Sequence, residues 1–384
     1  MRIGLISGAY PPDFDGIGDY TWWLAQTLAS RSGVDCPVRV FTSGGTERPV
    51  DPGVEVYPIF DSPRPASFRE LLRCPAITEL DWLVLQYNPF SFGPRGYCPW
   101  VPETLALLQK SRNGPRIAVM FHETVVPRWP WKFALMRCWQ QPIFRAVCRA
   151  ADVAFVSTER WIPQVQRAAP RLPVRHLPVG SNIPLCRVSR EEARQRLGIE
   201  QGALVLGVFG GAHISRRLDW IAATLREARA RNTERPTLLL YVGADGRTIR
   251  AACPEANIID CGPVPGMEVG LRLRAMDAVV SPFLDGISTR RGSVIAALQH
   301  GVPVASTRSS WTDRVFLAMT PIPLLLSVAN SATRFAIEVS GWLERLRGIP
   351  QMDVQSEVCQ FHGQHFLWSA ISGKLQSTLS CGKS

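Results

Sequence analysis

Short apolar segments of strand length alternate with longer helical segments along almost the whole sequence, and this alternation limits the fold more than any other feature. In the first half the strand candidates are "RIGLISG", "VRVFTS", "VEVYPI", "WLVLQY", "IAVMFH", "VAFVST" and "VRHLPV". Stretches such as "DYTWWLAQTLASR" and "VPETLALLQKS" fall between them, with apolar residues at roughly 3.6 periodicity. Continuously apolar strands that alternate with helices predict an α/β fold, in which helices cover both faces of a parallel sheet.

The alternation stops near residue 180 and then begins again. A polar connector, "PVGSNIPLCRVSREEARQRLGIEQG", precedes a second set of strand candidates, "ALVLGVFG", "TLLLYVG", "NIIDCG", "DAVVSPF" and "VPVAST". A chain of 384 residues is also too long for one ordinary hydrophobic core. We therefore predict two Rossmann-like, doubly wound domains at residues 1–180 and 181–355. A C-terminal helix within residues 356–384 is expected to pack back toward the first domain.

The composition indicates a soluble globular protein, because 46% of the residues are hydrophobic and 20% are charged. The net charge of +11 is spread evenly and forms no basic arm, so nucleic acid is not an expected partner. An anionic small molecule or an anionic membrane surface suits such a diffuse charge better.

The ten cysteines form no C-x-x-C pair and no zinc-type spacing, and no signal peptide or membrane span is predicted. We expect a cytoplasmic protein with reduced thiols.

Loops that follow the predicted strands are the candidate sites, because ligands of doubly wound sheets bind at the carboxyl ends of the strands. In the first, "PPDFDGIGDY", Gly16 and Gly18 allow close backbone approach around Ile17, and the following helix offers free N–H groups to an anion. The other interpretation of this loop is a tight strand–helix turn. The strand candidate "IAVMFH" ends at His122, with Glu123 next, and a histidine at the carboxyl end of a parallel strand is positioned for chemistry.

Two loops of the second domain carry arginines. "FGGAHISRRLD" joins Gly210 and Gly211 to Arg216 and Arg217, a combination that suits phosphate groups. A solvated surface is the other interpretation of these two arginines. The segment "DGISTRRGSVIAALQHGVPVAST" has a polar, glycine-bearing loop, then a short apolar helix, then a buried strand.

These four loops, in this order, resemble those of the GT-B fold glycosyltransferases, and specifically the retaining enzymes of glycosyltransferase family 4. "LPVGSNIP" resembles the interdomain linker of that family, and "FLWSAISGKL" resembles its closing helix. The resemblance covers nearly the whole chain. It implies two Rossmann-like domains with an interdomain cleft, and transfer of a hexose from a nucleotide-diphosphate sugar to an acceptor that is a glycan, a glycolipid or other lipid-linked carbohydrate, or a small molecule.

The resemblance also implies roles for individual residues. His122 would orient the transferred sugar, and Arg216 falls where the family has a phosphate-binding lysine. Together with Asp285 these are the predicted catalytic residues. The predicted donor-binding residues are Gly16, Ile17, Gly18, Gly210, Gly211, Arg217, Ser288, Arg290, Arg291, Gly292, Ser293 and Val294. Neither a cofactor nor a metal is expected, because arginines and helix dipoles supply the positive charge.

The sequence departs from the family in the fourth loop. The family has two glutamates eight residues apart, and here Ser288 and Ala296 occupy those positions. Ala296 cannot hold the donor ribose as the second glutamate does, and Asp285 is the candidate to replace the first. Two alternatives therefore stay open: a sugar-nucleotide epimerase or phosphorylase of the same fold, and a non-catalytic nucleotide-sugar-binding protein.

Two aromatic loops of the first domain, "QYNPFSFGPRGYCPW" and "VVPRWPWKF", are the candidate acceptor surface. Their predicted acceptor-side residues, together with the neighbouring Glu123, are Asn88, Phe90 and Trp129. Aromatic residues of a core are the other interpretation.

The helical segment "WKFALMRCWQQPIFRAVCRAA" carries Arg137, Gln141, Arg145 and Arg149 at intervals of four, so they share one helix face. A basic stripe beside large aromatic side chains predicts an interfacial helix at the inner face of the membrane. The other interpretation is a core helix with a solvated basic edge.

Overall fold

The computed structural model describes residues 1–13, 15–32, 36–44, 48–61, 65–111, 113–127, 131–318 and 322–381. In this part of the chain the residues form two compact units, each built around its own parallel sheet. Met1–Pro178 and the chain from Trp368 onward make the first unit, and Val179–Leu367 makes the second.

The sheet of the first unit has seven parallel strands among the described residues. They are β1 (Ile3–Ile6), β2 (Val38–Ser43), β3 (Val54–Phe60), β4 (Trp82–Tyr87), β5 (Arg116–Phe121), β6 (Val153–Val156) and β7 (Val174–His176). Their order across the sheet is β3-β2-β1-β4-β5-β6-β7. The order reverses between β1 and β4, so the loops after these strands lie at the switch point where doubly wound sheets bind ligands.

Helices connect these strands and bury their apolar sides against the sheet. They are α1 (Gly16–Ser32), α2 (Pro75–Thr78), α3 (Trp100–Lys110), α4 (Trp131–Arg149) and α5 (Ile162–Ala168), with short 3-10 segments at Pro65–Arg73, Pro89–Ser91, Pro94–Gly96 and Glu159–Trp161. On α3, Val101, Leu105 and Leu108 recur at helical spacing and are buried in the core of the unit. β1, β4 and β6 are buried along their whole length, because helices cover both faces of the sheet.

The sheet of the second unit has six parallel strands in the described chain. They are β8 (Leu204–Phe209), β9 (Thr237–Val242), β10 (Asn257–Asp260), β11 (Ala278–Ser281), β12 (Val304–Thr307) and β13 (Leu324–Ser327). Their order is β10-β9-β8-β11-β12-β13, with the switch point between β8 and β11. The loops after β8 and β11 are those in which the sequence places the arginines.

The second unit has eight helices among the described residues, and serine side chains cap the N-termini of two of them. The eight helices are α6 (Arg190–Leu197), α7 (Leu218–Arg231), α8 (Gly246–Ala252), α9 (Gly266–Arg274), α10 (Gly292–Gln299), α11 (Arg314–Leu317), α12 (Ala332–Arg347) and α13 (Gln351–His365). The Ser189 hydroxyl accepts the Glu192 N–H at the start of α6, and Gly198 ends this helix at a left-handed φ of 65°. Ser331 caps α12 in the same way.

The last helix, α14 (Trp368–Cys381), belongs to the first unit and packs on α1. The Trp368 ring lies edge-on to Tyr20 with centroids 5.0 Å apart, and stacks on Trp23 at 6.4 Å. Farther along, Arg31 Nε donates to Gln376 Oε1 over 2.9 Å. Aromatic contact and a hydrogen bond therefore hold α14 at both ends of the α1 surface.

The predicted α/β fold with two doubly wound parallel sheets is confirmed. All twelve predicted strand segments contain a strand, and β13 is an additional strand that the sequence analysis did not predict. Prolines at 321 and 323 precede β13 and obscure its strand pattern. The segment predicted as one C-terminal helix contains the end of α13 and then α14.

Candidate functional site

Arg216 lies between the two strands at the switch point of the second sheet. Its Nη2 donates to the Phe209 carbonyl at the end of β8 (2.9 Å), and its Nη1 donates to the Ser281 hydroxyl at the end of β11 (3.2 Å). The residue is 7% exposed, and burial lowers the pKa of its guanidinium to about 10. Because that value lies well above neutral pH, Arg216 carries a buried positive charge.

The loops after β8 and β11 are fastened to each other by backbone hydrogen bonds. Arg217 N donates to the Pro282 carbonyl (3.0 Å), and Leu284 N donates to the Ser215 carbonyl (2.7 Å). This short antiparallel bridge brackets Arg216 and Phe283. The bridge keeps Arg216 at the carboxyl edge of the sheet although the two loops are far apart in sequence.

Three further charged side chains of the β11 loop join Arg216. The Asp285 carboxylate accepts from Arg291 Nη2 over 2.7 Å and from Arg290 Nη2 over 3.1 Å. Arg291 Nη2 also donates to the Ser215 hydroxyl (3.1 Å), which connects the two loops a second time. Burial lowers the pKa of Arg291 to about 10, the charge of Arg290 acts in the same direction, and Asp285 opposes both.

The resulting cluster of Arg216, Arg290, Arg291 and Asp285 holds three positive charges and one negative. Buried charges of one sign are stable only when an opposite charge or strong hydrogen bonds compensate them. The cluster is therefore suited to a ligand with two or more negative charges.

The first turn of α10 adds backbone donors to this cluster. Among the described residues no side chain caps its N-terminus at Gly292 and Ser293, whereas the Val294 N–H already donates to the Arg291 carbonyl (2.9 Å), so the donor-binding role of Val294 stays a prediction. Uncapped N–H groups and the positive end of the helix dipole favour an anion at this position. Gly210 has a φ of +92°, and a Cβ there would lie 3.5 Å from Ser293 Cβ and 3.7 Å from Arg216 Nη2. The glycine thus leaves space where the loop, the helix start and the arginine converge.

Not every predicted donor-binding residue is in this cluster. The Arg217 guanidinium stacks on Trp220 at 4.4 Å and donates to the Asp219 carboxylate at 3.1 Å, so it lies along the first turn of α7. Gly211 is exposed, and the Ala212 N–H after it donates to Asp245 over 2.7 Å. The assignments of Arg217 and Gly211 stay predictions.

Ser288 and Ala296 occupy the two positions at which the family has glutamates. Ala296 is fully buried on α10. Ser288 is 2% exposed, and its hydroxyl finds no hydrogen-bond partner among the described residues. Beside it, the Asp313 carboxylate accepts both the N–H (2.7 Å) and the hydroxyl (2.8 Å) of Thr289, which fixes the loop immediately before the arginines.

In the first unit, His122 follows β5 and its ring is held in one orientation. Its Nε2 lies 2.8 Å from Gln86 Oε1, and its ring is edge-on to Tyr20 at 4.6 Å. A glutamine Oε1 only accepts, so Nε2 carries the proton and Nδ1 is the acceptor. The side chain is half-buried, and burial lowers its pKa to about 3. His122 is therefore neutral at physiological pH.

Buried polar atoms without partners collect around this histidine. Ser7 follows β1, whose register places it beside Thr42 on β2 and Gln86 on β4. The Ser7 and Thr42 hydroxyls, the Gln86 amide nitrogen and the Tyr20 hydroxyl all lack a hydrogen-bond partner within the described chain. Unpaired buried polar groups are rare and costly, so this edge of the first sheet is suited to a polar ligand or bound water.

The loop between β1 and α1 is closed by its own side chain. Asp15 Oδ1 accepts from the N–H groups of Ile17 (2.9 Å) and Gly18 (2.7 Å). A Cβ at Gly18 would lie 3.1 Å from the Ala9 carbonyl, which explains the glycine by packing. The amides predicted to meet an anion therefore already have a carboxylate partner, and the donor-binding role of Gly16, Ile17 and Gly18 stays a prediction.

Three of the predicted acceptor-side residues, Asn88, Phe90 and Glu123, follow β4 and β5 at the same edge of the first sheet. Asn88 Oδ1 caps the 3-10 turn by accepting from Phe90 N (3.0 Å), and the Phe90 side chain is 47% exposed. Glu123 N donates to the Tyr87 carbonyl (3.4 Å), which ties the backbone after β5 to the end of β4. Trp129 lies outside the described residues.

The exposed side of α4 differs from the predicted basic stripe. Arg137 donates to the Val126 carbonyl (2.6 Å) and to Gln141 (3.1 Å), so these two residues of the stripe bind within the unit. Arg145 and Arg149 are exposed, as the stripe predicts. The large apolar side chains exposed on α4 are those of Trp131 (66%) and Leu135 (57%), whereas Phe144 and Val147 are buried in the core.

No helix among the described residues is both long and apolar enough to cross a membrane. No group of three or more His, Cys, Asp or Glu side chains in them is arranged to hold a metal ion.

The fold of the two units is that of the GT-B glycosyltransferases. The chain is similar to sucrose-phosphate synthase from Thermosynechococcus elongatus, with 16% identity, a TM-score of 0.68 and 100% of both chains covered. It is also similar to WaaG, a glycosyltransferase of lipopolysaccharide biosynthesis, with 18% identity, a TM-score of 0.65, and 98% of this chain and 99% of WaaG covered. A third similar structure is Anabaena HepE in complex with UDP and glucose, with 14% identity, a TM-score of 0.66 and 99% of both chains covered. No protein-family model matches the sequence, and no curated protein matches it either.

Proposed function

We propose that this protein transfers a sugar from a nucleotide-diphosphate sugar to an acceptor, with retention of anomeric configuration. The observation that carries the proposal is the convergence of Arg216, Arg291 and the uncapped start of α10 at the switch point of the second sheet. A diphosphate has the charge and the oxygen geometry that paired guanidinium groups and helix N–H groups bind. The similar fold of HepE, whose structure holds UDP and glucose, supports the same ligand class.

In the mechanism, the second unit stabilises the departing nucleotide diphosphate. Negative charge grows on the leaving oxygen as the glycosidic bond to the diphosphate breaks. Arg216 and Arg291, with the amides of Gly292 and Ser293, supply fixed positive charge and donors for it. Because these groups carry the positive charge needed, we propose that transfer does not require a metal. Asp285 holds Arg290 and Arg291 in position.

The first unit supplies the groups proposed to orient the sugar and the acceptor. Neutral His122, with a free acceptor at Nδ1, binds a sugar hydroxyl without carrying charge into the site. The unpartnered polar atoms of Ser7 and Gln86 are additional groups for hydroxyl recognition. Asn88, Phe90 and Glu123 are proposed on the acceptor side.

We also propose that the acceptor is lipid-linked and that α4 rests on an anionic membrane surface. Trp131 and Leu135 would enter the headgroup region, while Arg145 and Arg149 would meet the anionic headgroups. Each basic residue close to such a surface contributes about 1 kcal/mol, so the attachment is weak and sensitive to salt.

Calorimetry with UDP, GDP and ADP tests the donor site, and turnover of the corresponding sugar nucleotides tests the reaction. We expect one of the nucleotides to bind. Arg216→Ala should weaken its binding and slow turnover about a hundredfold, because loss of one such donor costs on the order of 3 kcal/mol. Arg226→Ala, which removes an exposed arginine of α7, is the matched control and should leave both unchanged.

The outcomes separate the alternatives. Wild-type nucleotide affinity in Arg216→Ala would overturn the donor site. Binding without turnover for any acceptor would identify a nucleotide-sugar-binding protein, and an epimer formed without acceptor would identify an epimerase.

A further inference from the structure

A second basic cavity lies at the opposite edge of the second sheet, at the amino ends of its strands. It has a volume of about 270 Å³ and is lined by residues that directly precede or begin β8, β9, β11 and β12, and by the ends of α12 and α13. The candidate donor site is at the carboxyl ends of β8 and β11. The length of the strands therefore separates the two sites.

The carboxylate of this cavity, that of Asp277, already accepts three hydrogen bonds. Asp277 Oδ1 accepts from Arg190 Nη1 over 2.5 Å, and Oδ2 accepts from Arg194 Nη2 (2.9 Å) and from the Val205 N–H (2.8 Å). Arg194 is 1% exposed and also donates to three backbone carbonyls. Asp277 and these two arginines are thus a structural ion pair network that closes one wall of the cavity.

Two other arginines line the cavity without a carboxylate of their own. Arg235 is half-buried and donates its Nε to Asn232 Oδ1 (3.3 Å), a neutral partner. Arg347 lines the mouth of the cavity as an exposed residue, and no salt bridge of the described residues includes it. Burial lowers the pKa of Arg235, and the charges of Arg347, Arg194 and Arg190 lower it further, while Asp277 opposes them. Three arginines, Arg190, Arg235 and Arg347, therefore line the cavity with one carboxylate, and their charges repel one another in the free protein.

The remaining wall is apolar. Its side chains belong to Leu204, Pro303, Leu343, Leu346, Ile349 and Val354. A cavity with a cationic end and an apolar wall fits a small molecule that has an anionic head and a carbon skeleton. Two guanidinium groups without carboxylates match a dianion, and their planar forks fit phosphate oxygens.

We propose that this cavity binds a small phosphate monoester, whose phosphate is held by Arg235 and Arg347 and whose organic group contacts the leucine and isoleucine side chains. The site is separate from the donor diphosphate site, which lies at the opposite edge of the same sheet. It does not depend on the proposed transfer activity.

Calorimetric titration of the full chain with phenyl phosphate, inorganic phosphate and phenol tests the proposal. We expect phenyl phosphate to bind, inorganic phosphate to bind more weakly, and phenol not to bind. In the double variant Arg235→Gln/Arg347→Gln, the affinity for phenyl phosphate should fall at least tenfold, because hydrogen bonds to charged groups are being removed. Without ligand, the unfolding temperature of this variant should not fall, since the substitution relieves repulsion.

Two controls make the result specific. Arg334→Gln/Arg345→Gln removes two exposed charges from α12 outside the cavity and should bind phenyl phosphate as the wild type does. Arg216→Ala should also retain this binding. Absence of phenyl phosphate binding, unchanged affinity in Arg235→Gln/Arg347→Gln, or loss of binding in Arg216→Ala would each overturn the proposal.

Discussion

The guanidinium of Arg291 lies 4.1 Å from the centre of the Phe283 ring. The guanidinium of Arg216 lies 5.3 Å from the same ring. Phe283 is 3% exposed, and Thr307 Oγ1 both accepts from its N–H and donates to its carbonyl. One fixed aromatic ring thus positions the two arginines that the proposed reaction uses most. Such cation–π contacts contribute about 2 kcal/mol when they are shielded from water.

Phe283→Leu should therefore weaken nucleotide-diphosphate binding about tenfold, while both arginines remain in the chain. The control is Phe316→Leu, which shortens another buried aromatic side chain of the second unit, 1% exposed. Both variants should lose stability from the cavity they create. Calorimetry should find weaker nucleotide binding only in Phe283→Leu, and equal losses in both would show that Phe283 acts through stability alone.

Gly210→Ala should impair donor binding because it fills the space between the start of α10 and Arg216. The left-handed backbone also costs an alanine about 1 kcal/mol or more. Gly198→Ala is a matched control, since Gly198 has a φ of +65° and open space around its Cβ position. Urea unfolding should show destabilisation of both variants, whereas nucleotide titration should show reduced affinity in Gly210→Ala alone. Unaltered affinity in Gly210→Ala would place the ligand elsewhere.

The stability of the protein should depend on pH through His122. Its folded pKa of about 3 lies below the ordinary value of 6.5, so the unfolded chain takes up more protons between these values. Unfolding midpoints in urea should accordingly fall as pH decreases from 6.5 to 4.5. The fall should be smaller in His122→Asn, and buried His362, whose pKa is lowered to about 4, contributes part of what remains. An identical pH dependence in wild type and His122→Asn would contradict the assignment of a neutral histidine.

Membrane attachment should depend on the exposed side of α4. In sedimentation with anionic vesicles at low salt, we expect the wild type to pellet and Trp131→Ser/Leu135→Ser to remain mostly in solution. Arg145→Gln/Arg149→Gln should lose roughly 2 kcal/mol of attraction, about 1 kcal/mol for each charge. Val328→Ser, which changes an apolar side chain of the second unit that is 72% exposed, should pellet as the wild type does. A wild-type protein that stays in the supernatant at low salt would make a soluble acceptor the better proposal.

The sequence predicted twelve of the thirteen described strands and the arginine-bearing loops of the second unit, because apolar runs and glycines report local structure directly. It could not predict what long-range contacts do to individual side chains. Arg291 reaches Ser215 across 76 residues, and this connection exists only after the two loops have been brought together. Phe283 is the last residue of a predicted strand, and the local sequence does not indicate its contacts with Arg216 and Arg291. Asp15 could have been recognised, because an aspartate two and three residues before free N–H groups is a common helix cap.

The position of α14 has a consequence for the order in which the protein is made. The ribosome completes residues 179–367 before it synthesises Trp368, whose ring packs against Tyr20 and Trp23 near the beginning of the chain. The second unit is encoded without interruption and can therefore fold while translation continues. The aromatic side chains of α1 that contact α14 remain uncovered until α14 has emerged from the ribosomal exit tunnel. The first unit, whose synthesis begins first, is consequently the last to complete its folding.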